Sequence, residues 1–307
     1  MRLQLGINTC FAVKRWPRPD DWAPLVRDRL GLQLVQHSLD LVDLSAPPQR
    51  VESDARELRA AVDGNGLDLH STFTGLVAYS ANLLLAPDAV DRSAALAWYR
   101  QVIGLTAAVG ARATGGHVGC FSVPDWRDPQ RRNELWEDLR RALAELAAGA
   151  RGAGLEYLVV ENLAVAREPS TIAMIGELLD DGDASRVPIR LCLDVGHMVV
   201  PGTTGPDRDP YAWLRTLGRS APIIQLQQSD ADGDHHWPFT QRTNAAGRIS
   251  AERVIDALGE GGVEECALVL EIIPPFEQDD DAVLDDLARS VDYWTDALSR
   301  AGVLAGS

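Results

Sequence analysis

The feature that most constrains this chain is an alternation running along its length. Short runs rich in Val, Ile and Leu are each followed by a longer stretch with apolar residues at helical spacing. The strand-like runs fall at 3–8, 32–36, 67–72, 111–117, 155–161, 189–194, 223–228 and 267–271, which makes eight. Helical patterns occupy 50–63, 87–109, 129–150, 169–180 and 280–301, several opening at Pro or Asp and closing near Gly. Gly64, Gly66, Gly110, Gly152 and Gly154 each stand just before the next strand, where a left-handed helix stop is wanted. This order of elements builds a parallel sheet with helices outside it.

Two architectures accommodate such an order. A doubly wound sheet would carry a Gly-rich phosphate turn after its first strand, but that strand runs into Asn8–Thr9–Cys10 with neither GxGxxG nor a P-loop. A closed barrel instead gathers polar residues from the C-terminal ends of many strands at one mouth. The expectation is therefore an α/β chain folded as a single (β/α)8 TIM barrel over residues 1–307, with no linker or low-complexity segment.

The formal net charge of −16 makes long DNA or RNA a poor first expectation, since a phosphate backbone is drawn to clustered Lys and Arg. It does not exclude a small anion, because Lys14, Arg15 or Arg242 can act over a few ångströms. Cys10, Cys120, Cys192 and Cys266 are far apart and form no CxxC, as expected for reduced thiols of a cytoplasmic protein. No run approaches the ~20 apolar residues of a membrane span, and the opening MRLQLGINTC lacks the pattern of a secretory leader. No exposed stripe defines an interface, although barrels of this kind often pair as homo-oligomers.

The chemistry lies in the late strands, which end in polar residues after apolar runs: LEYLVVEN at Glu161, IRLCLDVGH at Asp194 and His197, IIQLQQSD at Gln227, and LVLEI at Glu271. Glu161, Asp194, Gln227 and Glu271 follow one another at 33, 33 and 44 residues, each about one βα unit, so four successive strands aim an oxygen at one place. Buried carboxylates are costly to desolvate, and three together repel. A divalent cation resolves both problems. Carboxylate and amide oxygens favour Mn or Mg, and nearby His shifts the preference toward Co or Zn.

At this point the sequence resembles a family. The ends at Glu161, Asp194 and Glu271, the run Asp194–His197 and the opening LGINT are similar to the sugar phosphate isomerase/epimerase family of xylose-isomerase-like barrels. The resemblance implies that Glu161 and Glu271 bind the metal and serve as acid/base groups, that Asp194 binds the metal, and that His197 hydrogen-bonds substrate. The family places a histidine ligand at the end of the seventh strand, whereas this chain has Gln225–Leu226–Gln227; Gln227 can supply a neutral oxygen there. The segment LQQSDADGDHHWPFTQRTNAAGRI resembles the tetrulose-phosphate (erythrulose-phosphate) epimerases within the family.

Further substrate contacts follow from position. His236 and Trp237, with His235, are expected on a loop above the barrel, where an aromatic wall and imidazoles close over a small polyol. Arg242 is a candidate phosphate or hydroxyl contact, and Lys14 or Arg15 would bind phosphate were the substrate phosphorylated. His70 and His117 are read as ending the third and fourth strands at the mouth, while His37 reads as a structural residue.

The expected reaction is epimerisation next to the keto group of a short ketose or ketose phosphate. One carboxylate removes the α-proton to give an enediolate, and the other returns it on the opposite face. Aldose–ketose isomerisation through the same enediolate is the nearest alternative. A zinc phosphodiesterase like the related AP endonucleases is a second, with His70, His117 and the Asp234/His236 pair as extra ligands. The acidic surface and the missing seventh-strand His weigh against it. A sugar-binding barrel without turnover is the third.

Overall fold

A computed structural model describes residues 1–305. Eight parallel strands close into a barrel in the order β1 to β8: Arg2–Asn8, Leu34–Ser38, Asp68–Phe73, Ala113–Gly116, Tyr157–Glu161, Ile189–Asp194, Ile223–Leu226 and Glu265–Leu270. β1 and β8 make the closing seam, in register from Arg2↔Glu265 to Ile7↔Leu270. The helices lie outside: α1 (Pro19–Pro24), α2 (Pro48–Gly64), α3 (Gly75–Ala78), α4 (Ala89–Ala108), α5 (Val123–Arg127), α6 (Pro129–Gly152), α7 (Ile172–Leu178), α8 (Pro210–Leu217), α9 (Gln241–Ala246), α10 (Ala251–Glu260) and α11 (Asp280–Ala301). Each long pattern foreseen in the sequence is a helix or most of one, and the strands match to within a few residues.

Both faces of a closed parallel strand are buried, which is why these strands read as continuous apolar runs. Outward residues pack against the helices in one large core, while Leu34, Phe73, Val159, Cys192, Ile223, Ala267 and Val269 fill the interior of the barrel. Successive inward positions lie two residues apart. One step beyond that plug, toward the C-terminal end, come Gln36, Glu161, Asp194, Gln225 and Glu271, all buried. The same alternation that fills the barrel thus places polar groups above its floor.

β4 is the tightest point of the wall. Gly115 has φ +141°, and a Cβ there would lie 1.9 Å from the Val159 carbonyl oxygen on β5. Both the backbone angle and the contact demand glycine. The four cysteines are free, and among the described residues no helix is long and apolar enough to cross a membrane. Gly115→Ala should lower stability by about 3 kcal/mol or more, read as the shift of a urea unfolding curve; a variant unfolding at the wild-type midpoint would show that the β4–β5 contact relaxes freely.

Candidate active site and metal centre

Glu161, Asp194 and Glu271 meet at the mouth, each offering one oxygen within 4.8 Å of the others. Neutral donors hold one oxygen of each outer carboxylate. Glu161 Oε2 accepts the Tyr79 hydroxyl at 2.6 Å. Glu271 Oε1 accepts Asn8 Nδ2 at 3.1 Å and Gln225 Nε2 at 2.8 Å. Glu161 Oε1 and Glu271 Oε2 are buried with no hydrogen-bond partner. Burial pushes the Glu161 carboxyl up to about 8, against the pull of His197 and of the Tyr79 hydroxyl. Burial, then the charges of Glu161 and Asp194, pushes Glu271 well above the carboxylate range. Two orphaned oxygens beside a third carboxylate fit a divalent cation.

A second set of ligand atoms adjoins the first and shares Asp194, joining it to His197 and His236. Asp194 and His197 come from the end of β6, and His236 is brought in by the loop after β7, which an antiparallel bridge between Gln228 and Trp237 pinches closed. His235 stacks on Trp237 with ring centroids 3.9 Å apart and pairs with Asp230 at 3.0 Å, stiffening the loop. His236, at φ +49°, is thereby turned inward.

Asp234 stands between two imidazoles, 3.3 Å from His197 Nε2 and 3.3 Å from His236 Nε2. The Nδ1 atoms face backbone carbonyls instead, of Asn162 at 2.7 Å and Glu271 at 3.1 Å. Each Nδ1 must donate to its carbonyl, so a neutral ring would turn the Nε2 lone pair toward a carboxylate. A proton or a bound cation removes that conflict, and Nδ1 anchored on a carbonyl is how metal-ligating histidines are commonly oriented. Burial opposes charge on His197, yet Asp194 and Asp234 raise its pKa well above the ordinary value; Asp234 is held far below its own, against burial, by His197 and His236. The all-oxygen set suits Mg or Mn, and the imidazoles extend the choice to Co or Zn.

Gln227 is placed at this junction but not as an oxygen ligand. Its Oε1 accepts the His236 backbone N–H and the Ser229 hydroxyl, both at 2.7 Å, and its Nε2 faces Asp194 Oδ1 at 3.1 Å and Asp234 Oδ1 at 2.6 Å. Two donors on Oε1 fix the amide in this sense, so a hydrogen-bond donor, not a ligand, points at the carboxylates. In this arrangement the Gln227 amide ties the β7 loop to Asp194 and Asp234.

The other expected contacts divide. His117 lies just beyond β4, fully buried, stacked against Tyr79 at 4.8 Å. His70 sits mid-strand at the β2–β3 irregularity, its Nε2 3.3 Å from the Tyr157 hydroxyl at the start of β5, and does not join the mouth. Trp237 supports His235. Arg242 is exposed on α9. His37 is buried against Trp22 and Thr9, as a structural residue would be. Lys14 is exposed at φ +63° in the loop after β1, its ammonium 4.1 Å from the centre of the Phe276 ring. Tyr79, Asn8 and Gln225 were not foreseen: Asn8 and Gln225 sit at inward strand positions that could have been counted, whereas nothing local marks Tyr79.

A cavity of about 200 Å³ opens beside these groups, bounded by Phe73, Leu76, Tyr79, His236, Glu271 and Ile273, and no Lys or Arg lines it. The chain belongs to the xylose isomerase-like TIM barrel family, whose sequence profile matches residues 27–297. The D-erythrulose 1-phosphate 3-epimerase of Brucella abortus (strain 2308) is 32% identical over 298 residues, 96% of each chain. A crystal structure of a protein from Rhodospirillum rubrum ATCC 11170 is 36% identical, with a TM-score of 0.88 over 96% of this chain and 99% of that one. The D-psicose 3-epimerase of Clostridium cellulolyticum H10 shares the fold at 16% identity, with a TM-score of 0.68 over 96% of this chain and 99% of that one.

Replacing Gln227 by Ala should strip His236 N–H and the Ser229 hydroxyl of their acceptor, lower stability by about 2 kcal/mol and speed amide exchange across 228–237. Hydrogen-exchange mass spectrometry checks this; wild-type exchange in that loop would deny Gln227 the role of clamp.

Proposed function

We propose that the protein is a divalent-metal-dependent epimerase acting next to the keto group of a short ketose or ketose phosphate. One observation carries the reading: Glu161 and Glu271, from strands three positions apart around the ring, each keep a single buried, unpartnered oxygen, and the two carboxyls meet within 4.8 Å at one mouth. The relative named as a D-erythrulose 1-phosphate 3-epimerase supports the substrate class. So does the cavity's volume, below the ~300 Å³ at which drug-sized ligand sites begin.

The chain's own residues divide the work. One glutamate takes the α-proton, the C–H electron pair becomes the new C=C bond, and the carbonyl oxygen takes up the charge of the enediolate. The other glutamate, protonated at the start, delivers its proton to the opposite face, inverting the centre. Asn8 and Gln225 hold the Glu271 carboxyl by its Oε1, and His197, anchored on the Asn162 carbonyl, is the proposed substrate hydrogen-bonding group. Glu161, Asp194 and Glu271 would hold the cation, with His236 a further available ligand, and when bound it would supply Lewis-acid stabilisation of the developing oxyanion. The buried free thiols of Cys10, Cys192 and Cys266 suit a reducing, cytoplasmic setting.

Lys14 is the proposed phosphate handle. It is the chain's one lysine. Its neighbour Arg15 is committed to Asp280 and to the carbonyls of Pro275 and Phe276, which ties the β1 loop to the β8 loop and leaves Lys14 at the rim.

A second reading, a binuclear phosphodiesterase, is favoured by the Asp194–His197–His236 set and opposed by the net charge of −16. Metal-loaded protein incubated in D₂O with tetruloses, pentuloses and hexuloses, free and phosphorylated, should incorporate deuterium at the α-carbon with inversion, followed by NMR. Glu161→Gln and Glu271→Gln should each stay folded and lose at least about a hundredfold in rate. Nicking of abasic DNA with no exchange into any ketose would replace this reading with the phosphodiesterase. In a separate comparison, Lys14→Ala should raise KM about tenfold for a phosphorylated ketose and leave the free sugar untouched; equal effects on both would remove Lys14 from phosphate binding.

A further inference from the structure

The segment between β3 and α4 bears none of the strand-end carboxylates, yet it delivers a phenol to one of them. Tyr79 directly follows α3, its backbone N–H bonded to the Leu76 carbonyl at 3.1 Å. Its ring stacks on His117, with centroids 4.8 Å apart and planes at 23°. That imidazole is fully buried and neither ring nitrogen has a hydrogen-bond partner, so it fixes the phenol by its face alone. From this seat the Tyr79 hydroxyl reaches Glu161 Oε2 at 2.6 Å.

The segment is itself held from β2. Asp40, just past the end of that strand, accepts the backbone N–H groups of Leu76 and Val77 at 2.7 and 2.9 Å and the Ser38 hydroxyl at 2.9 Å. Gly75 makes this approach feasible: its φ is +72°, and a Cβ would lie 2.5 Å from both Asp40 Oδ2 and Ser38 Oγ. A chain of short contacts thus runs from β2 through Asp40 and α3 to Tyr79 and Glu161.

Its purpose is visible in the asymmetry of the two glutamates. Asn8 and Gln225, both on the barrel wall, hold Glu271 through Oε1 and leave Oε2 free. No strand residue does this for Glu161, whose side chain accepts one hydrogen bond among the described residues, that of Tyr79, leaving Oε1 free.

We propose that Tyr79 is a positioning residue for the epimerisation, fixing the Glu161 carboxyl by a hydrogen bond to Oε2 so that Oε1 alone faces the reacting carbon, with Asp40 and Gly75 holding it in place. The inference rests on the function proposed above and adds a residue to its machinery. An aromatic ring that merely packed on His117 would be replaced by Phe without consequence; a hydroxyl that orients the base would not.

Tyr79→Phe retains the stacked ring and removes only the hydroxyl. In the metal-loaded enzyme kcat for ketose epimerisation should fall about ten- to a hundredfold, the worth of one hydrogen bond to a charged group, while KM and the dissociation constant of the metal stay within about twofold of wild type. Gly75→Ala, which displaces the Asp40 clamp at the edge of the cavity, should lower kcat in the same direction. Wild-type kcat in Tyr79→Phe overturns the proposal, as does a loss appearing in KM or in metal affinity instead. A readout free of turnover separates this from a failure of the proposed activity. With ¹³Cζ-labelled tyrosine, the Tyr79 signal, identified by its disappearance in Tyr79→Phe, should move in Glu161→Gln even if the wild type epimerises no ketose, and an unmoved signal overturns the hydrogen bond.

Discussion

Three carboxylates with oxygens within 4.8 Å of one another, buried at the mouth of a barrel, set the terms for everything around them. At an effective dielectric near 20, each pair of full charges at that separation repels by about 3 kcal/mol, on top of the desolvation of each group. Neutral donors do part of the compensation, through Tyr79 on Glu161 and through Asn8 and Gln225 on Glu271. They leave one oxygen on each glutamate with nothing to accept from, and this residual deficit is what a cation would meet.

The loop after β7 extends the same logic. Asp234 adds a fourth carboxylate but comes with His197 and His236, whose Nδ1 atoms are already anchored on carbonyls. Gln227 joins the two halves, accepting from the loop through its oxygen and donating to Asp194 and Asp234 through its nitrogen. An amide has two ends of opposite character, and here both are used. A histidine at this position could not accept twice and donate twice, so the substitution of Gln at the seventh strand and the inward turn of His236 belong to one arrangement.

Much of this was legible along the chain, for a definite reason. A strand alternates faces every two residues, so the position of Val159 inside the barrel also puts Glu161 inside, and the same holds for Cys192 and Asp194 and for Val269 and Glu271. Reading the strand ends therefore located the carboxylates. It misplaced His70, because an irregularity in the β2–β3 pairing shifts the register there and the strand runs three residues further, to Phe73. It could not orient the Gln227 amide, since that depends on what its oxygen accepts, and those donors lie on the folded-back loop.

The sequence by itself determined the eightfold alternation, the closed barrel and the strand-end positions of the three carboxylates, because each depends on local periodicity and on spacing between neighbouring strands. Only the tertiary structure decided the rest: that His236 turns inward, that Trp237 braces His235 instead of lining the cavity, that Lys14 rests over Phe276 while Arg15 is tied to Asp280, and that Tyr79 reaches Glu161. These contacts join residues from different loops. Loop geometry is set by backbone angles, bridges and stacked rings that no periodic pattern encodes, so it emerges only when the barrel closes and brings the loops over one mouth.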